Sequence, residues 1–115
     1  MAGILAALAI AGCGSGDDGA STGPTVLEVR SYDGERLVST TTLPCTPGDA
    51  RCARVVALLP RLRPAPDEAC AQVYGGPERL VVEGTAEGAP VRIEVTRADG
   101  CQIARYDLLS EALRG

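Results

Sequence analysis

Residues 79–97 read RLVVEGTAEGAPVRIEVTR, and this stretch decides the fold. Val91, Ile93 and Val95 alternate with Arg92 and Glu94, the two-residue period of a strand with one face buried and the other in water. Residues 79–85, RLVVEGT, supply a second run rich in β-branched side chains, and the intervening AEGA at 86–89 reads as a turn. The segment is therefore an antiparallel hairpin. A hairpin of this kind is stable only when more strands or a helix cover its apolar face, so the flanking sequence must supply a cover.

Working outward, residues 25–31 (TVLEVRS) and 37–43 (LVSTTTL) flank Asp33-Gly34, a two-residue turn signal, and predict a first hairpin. The hydroxyls at 39–42 read as the solvent side of its second strand. Between the hairpins, Val55, Val56, Leu58, Leu59 and Leu62 recur at helical spacing with arginines between them. This predicts an amphipathic helix capped by Asp49 and ending near Leu59, where Pro60 interferes with continuation. Arg51, Arg54, Arg61 and Arg63 read as its solvated face. Residues 60–69, PRLRPAPDEA, form a proline-broken loop. Asp99-Gly100 reads as another turn, and residues 107–114, DLLSEALR, as a short C-terminal helix with Leu108, Leu109 and Ala112 along one side. The expected class is α+β: an antiparallel sheet of about five strands, one covering helix and the short terminal helix.

The chain has 115 residues and a formal net charge of -4, enough for one domain and without the clustered positive charge that binds phosphate backbones. Nucleic acid is not an expected partner. There is no histidine, so the usual general base of a serine or cysteine nucleophile and the commonest zinc ligand are both missing. The acidic residues are scattered, and Asp67-Glu68 reads as a solvated loop, not a paired acid and base. An enzyme is not expected, nor is a cofactor.

The cysteines number five. Residues 1–12, MAGILAALAIAG, are apolar and too short to span a bilayer, which suits a signal peptide. The sequence Ile10-Ala11-Gly12-Cys13 resembles a bacterial lipobox, which implies cleavage before Cys13, lipid on its thiol and a location outside the cytoplasmic membrane. Residues 13–24 then read as the lipidated cysteine and a glycine-rich tether, with the domain at 25–115. Cys45, Cys52, Cys70 and Cys101 remain, an even set that suggests two disulfides in a small exported domain. Three pairings are open. No CxxC pair occurs, and the spacing matches no common zinc site.

One stretch lies outside these elements. Cys70-Ala71-Gln72-Val73-Tyr74 leads into the turn Gly75-Gly76-Pro77, then Val82-Glu83-Gly84 and Gly88, and ends at Cys101. In order and spacing this resembles the Streptomyces subtilisin inhibitor family over residues 25–115. The resemblance implies the pairs Cys45–Cys52 and Cys70–Cys101, a reactive bond at Gln72-Val73, and a protease-binding segment of Cys70, Ala71, Gln72, Val73 and Tyr74. Ala69 would reach a further apolar subsite. Ala71 stands where the family usually has proline, and the Cys45–Cys52 loop is shorter than usual. The implied partner is a subtilisin-like serine protease, and the family further implies a homodimer built on sheet packing. The alternative is an envelope binding module that keeps the fold without inhibiting anything.

Overall fold

The computed structural model describes residues 23–114. The expected signal peptide, Cys13 and most of the tether lie outside the described residues. Seven elements follow in order: β1 (Val26–Asp33), β2 (Arg36–Leu43), α1 (Ala50–Leu58), a 3-10 turn (Leu59–Leu62), β3 (Glu78–Ala86), β4 (Ala89–Val95) and α2 (Gly100–Arg114). The class is α+β. The strands form one antiparallel sheet in the order β2-β1-β3-β4.

The two-residue period works as read. Val91, Ile93 and Val95 are buried, as are Leu27 and Val29 of β1 and Leu80 and Val82 of β3. They share one core with Cys52, Val55, Leu59, Leu62, Leu109 and Ala112 from the helical layer. Each fully buried Leu or Val contributes about 1.5–3 kcal/mol relative to exposure. The opposite face is charged: Arg30 pairs with Glu28 and Glu83, Arg92 with Glu83, and Arg79 with Glu94. β2 is exposed except at Leu43, so its hydroxyl run meets solvent.

The sheet has four strands, fewer than the five or so expected. The remaining extended piece, 71–76, joins no ladder. Its backbone is instead committed elsewhere: Ala71 to Gly100, and Gly75 to Arg97. The first turn also differs by one residue. Asp33 stays in β1 opposite Arg36, and Gly34-Glu35 forms the turn, with Gly34 at φ 65°. Glu87 (φ 52°) and Gly88 (φ 85°) both take the left-handed conformation that lets a two-residue turn follow the twist of its strands.

α1 begins where predicted. The Asp49 side chain accepts the Cys52 N–H at 2.8 Å, satisfying one of the free donors of the first turn. Pro60 falls in the 3-10 turn that closes the helix. The larger correction concerns α2, which starts at Gly100 and not at 107. Asp99 is its cap: its carboxylate accepts the Gln102 N–H at 2.9 Å and its carbonyl the Ile103 N–H at 2.9 Å. A glycine at the first helical position hid this start, because glycine is a poor helix former. α1 and α2 pack on one another, so two helices cover the sheet where one was expected. Arg54 is exposed, as expected of the solvated helix face, and it also donates to the Ala112 carbonyl through Nε at 3.2 Å and Nη2 at 3.1 Å, closing the end of α2.

Both disulfides form, Cys45–Cys52 and Cys70–Cys101. Crosslinks of this kind belong to an oxidising, extracytoplasmic setting. Among the described residues no helix is long and apolar enough to cross a membrane.

Candidate functional site

The loop from Arg63 to Pro77 joins the helical layer to β3, and its second half crosses the N-terminus of α2. Cys70 is fixed by the disulfide to Cys101, with Cα atoms 5.2 Å apart. The next residue is held by backbone: the Ala71 carbonyl accepts the Gly100 N–H at 2.9 Å. That N–H belongs to the first turn of α2 and has no partner within the helix, so the loop completes the helix while the helix fixes the loop. The approach favours glycine at 100: a Cβ there would sit 3.1 Å from the Ala71 Cβ and 3.4 Å from its nitrogen and oxygen, so Ala71 would have to give a little.

The Ala71 carbonyl also accepts the Val73 N–H at 2.9 Å, a bond between residues two apart. Gln72 has no positive φ, so this is an inverse γ-turn with Gln72 at its apex. The segment is therefore bowed at Gln72. The Gln72 side chain folds back, its Nε2 donating to the Cys70 carbonyl at 3.2 Å. Val73 and Tyr74 are 51% and 72% exposed, an apolar and an aromatic side chain that the rest of the domain covers only in part.

Downstream the chain is clamped again. The Gly75 N–H donates to the Arg97 carbonyl at 2.7 Å, and Arg97 Nε donates to the Gly75 carbonyl at 3.1 Å. Gly75 lies so close to Ile103 of α2 that a Cβ would come within 2.8 Å of its Cδ1. Arg97 is itself braced by Asp107 at 3.2 Å and lies 5.1 Å from the Tyr106 ring centre. Two residues on, the Pro77 carbonyl accepts the Gly34 N–H at 3.0 Å, tying the loop to the β1–β2 turn.

Upstream, Glu68 forms an ion pair with Arg105 of α2 and accepts the Ala65 N–H at 3.3 Å through the same Oε1 atom. Asp67 is exposed, but Glu68 is not the solvated residue expected from the sequence. Arg105 is 8% exposed, and its Nη1 has no hydrogen-bond partner among the described residues. A buried donor left unpaired costs roughly 1–3 kcal/mol.

The structure thus brings together Cys70, Ala71, Gln72, Val73, Tyr74 and Cys101 and leaves Cys45 and Cys52 elsewhere. The Cys45–Cys52 bridge follows β2 and borders an open depression of about 590 Å³ with Gly23, Thr25 and Glu87, at the end of the sheet away from Pro77 and Gly34. Glu68, Arg97, Gly100 and Arg105 are site residues that the sequence reading missed. Glu68, Cys70 and Cys101 also have donor atoms within 4.8 Å of one another, but both sulfurs are committed to the disulfide. Comparison of the chain with models of known families and with curated proteins finds no match.

Proposed function

We propose that this chain inhibits a subtilisin-like serine protease by offering Gln72-Val73 as a bond that the enzyme binds tightly and turns over slowly, and that lipid on Cys13 anchors it outside the cytoplasmic membrane. The observation that carries the reading is the double clamp: an exposed segment, 71–75, fixed at both ends to α2 and its lead-in. Proteases of this class bind substrate along an extended cleft with main-chain hydrogen bonds and a pocket for the residue before the scissile bond. A free peptide loses about 1–2 kcal/mol of backbone entropy per residue ordered. Here much of that loss has been taken during folding, so binding retains more of its contact energy. The Ala71–Gly100 bond supplies some of the rigidity that a proline at 71 would give.

Slow turnover follows from the same clamp. Attack of the enzyme's serine oxygen on the Gln72 carbonyl carbon breaks the bond to the Val73 nitrogen and gives an acyl-enzyme and a free amine. That amine stays two residues from Gly75, which Arg97 holds. It therefore competes with water for the acyl carbon at high effective concentration and re-forms the peptide bond. The inhibitor lends no catalytic group.

The test uses the full chain with Cys13→Ser, to keep it free of lipid, incubated with subtilisin. Stoichiometric, slowly reversible loss of protease activity supports the reading. Prompt cutting between Gln72 and Val73 with no loss of activity overturns it and leaves an envelope binding module. The anchor has its own test: the chain expressed with its N-terminus intact partitions with membranes, and Cys13→Ser releases it.

A further inference from the structure

The Glu68–Arg105 pair, with Arg105 buried and Glu68 partly so, lies at the upstream end of the presented segment. Arg105 comes from the middle of α2, is 8% exposed, and leaves Nη1 without a partner among the described residues. Glu68 precedes Cys70 by two residues, and its Oε1 also holds the Ala65 N–H, closing the turn through Pro66 and Asp67. Buried ion pairs are rarely the most stable solution, because desolvation offsets their attraction and an apolar pair of similar volume is often as stable or more so. An unpaired guanidinium nitrogen tilts the balance further against a stabilising role.

We infer that Arg105 is a positioning residue: through Glu68 it fixes the turn Ala65–Glu68 against α2 and so sets the direction in which the chain enters Cys70 and the γ-turn at Gln72. The disulfide alone does not do this. A single crosslink fixes where Cys70 sits but leaves the peptide before it free to pivot, and Ala69 has no other anchor besides the weak contact of its carbonyl with the Cys101 sulfur at 3.6 Å. The pair supplies the second fixed point. With Arg97 on the far side, the presented segment is suspended between two arginines, one on either side of the disulfide. For a protease, the consequence is that the residues entering the cleft ahead of the bond, Ala69 and Cys70, arrive already aligned. This part rests on the inhibitor reading; the positioning itself does not.

The test replaces the pair with apolar residues, Arg105→Met with Glu68→Leu, in the intact oxidised chain. Backbone order parameters, thermal unfolding and dissociation of the subtilisin complex are the three readouts. The expected result is an unfolding midpoint equal to or above the native one. Order parameters at Asp67, Glu68 and Ala69 fall from about 0.85 to below about 0.6, and Gly75 is unchanged. Dissociation from subtilisin quickens roughly tenfold, a change that a merely stabilising pair could produce only with a lower midpoint. Glu68→Gln, which keeps shape and an acceptor but leaves the Arg105 charge uncompensated, lowers the midpoint while loosening residues 67–69 ahead of the rest of the domain, and serves if the double variant does not fold. Unchanged order at 67–69, or loosening that spreads evenly over the domain with a lower midpoint, overturns the inference. If the native chain fails to inhibit yet residues 67–69 loosen as described, the inhibitor reading falls and the positioning role stands.

Discussion

The two disulfides have the same chemistry and different jobs. Cys45–Cys52 spans a sequence separation of 7, and Cys52 is a buried member of the core beside Val55, one turn into a helix that Asp49 already caps. It reinforces structure that local sequence favours anyway. Cys70–Cys101 spans 31 residues and joins an irregular loop to the first turn of α2, where neither side is buried in the core. It creates a conformation that local sequence would not hold. The difference teaches that a crosslink's place in the fold, more than its presence, decides what it holds: one bridge sits in the core, and the other ties an exposed loop to a helix. The short Cys45 loop, remote from the exposed segment, cannot buttress it, and hydrogen bonds from Gly100 and Arg97 take that part.

Removing each bridge in turn is the most severe test of this contrast. Loop-closure entropy predicts a loss of about 4 kcal/mol for Cys70→Ala with Cys101→Ala and about 2 kcal/mol for Cys45→Ala with Cys52→Ala. Thermal unfolding would register the first as a fall of roughly 15–30 °C in midpoint and the second as about half that. Below both midpoints the variants should diverge in kind. Without Cys70–Cys101, subtilisin should cut after Gln72 at least about a hundredfold faster; without Cys45–Cys52, cutting should stay near the native rate. Equal acceleration in the two would erase the distinction.

A smaller effect is expected at the backbone contact beside the bridge. In Gly100→Val the added atoms meet Ala71, whose Cβ would be 3.1 Å from the new Cβ. Ala71 must move, and its carbonyl loses the Gly100 N–H. Overpacking of this kind costs about 1–3 kcal/mol. The sharper signature is exchange of the Gly100-position amide with solvent, which should speed up while amides of the β1–β3 ladder keep their protection. If the ladder loses protection equally, the contact belongs to the global fold and not to the presented segment.

Much of the fold was open to reading from the residues. The alternation in β4 and the spacing from Val55 to Leu62 are burial patterns, and burial is what sequence records best. What could not be read was the start of α2 and the support of the loop. The Gly100 N–H is satisfied by Ala71 of a distant loop, and Arg105 meets Glu68 across 37 residues of chain. Each is a pairwise fact with no local periodicity. Asp99 did carry a signal, since an acidic cap before a helix is common, but the glycine after it pointed equally to a turn. The sequence 70–77 showed a turn at Gly75-Gly76-Pro77; it held no trace that Gln72 would be the apex of a γ-turn.

Arg97→Ala probes the downstream clamp and should do less than the valine at 100. It removes the bond from Nε to the Gly75 carbonyl, the Asp107 pair and the stacking on Tyr106, but the backbone bond from Gly75 N–H to the carbonyl of residue 97 survives. Since the side chain is 25% exposed and solvent screens its ion pair, a loss of about 1 kcal/mol is expected. The functional reading separates from the structural one in the cleaved form. If Arg97 retains the new amine, protease-catalysed resynthesis of the 72–73 bond should shift by several-fold toward the cut chain in the variant. An unchanged ratio of intact to cut chain would place the whole clamp in the backbone.

The mildest change to the fold is Gln72→Met. The side chain is exposed, and its one hydrogen bond, from Nε2 to the Cys70 carbonyl at 3.2 Å, is local and open to water. Stability should move by less than about 0.5 kcal/mol. Binding should change more than folding does, for a reason that lies in that bond. A protease pairing with the segment as an added strand needs main-chain acceptors on the side of the bond that Cys70 occupies, and in the free chain the Gln72 amide covers one of them. Methionine has no donor, so it leaves the carbonyl free and brings an unbranched apolar chain to the pocket. Tighter inhibition of subtilisin by about tenfold, with an unchanged unfolding midpoint, would show that residue 72 tunes affinity on a frame set elsewhere. Loss of order at Val73 and Tyr74 in the same variant would instead make the glutamine part of the frame, extending the presenting scaffold to the apex of its own loop.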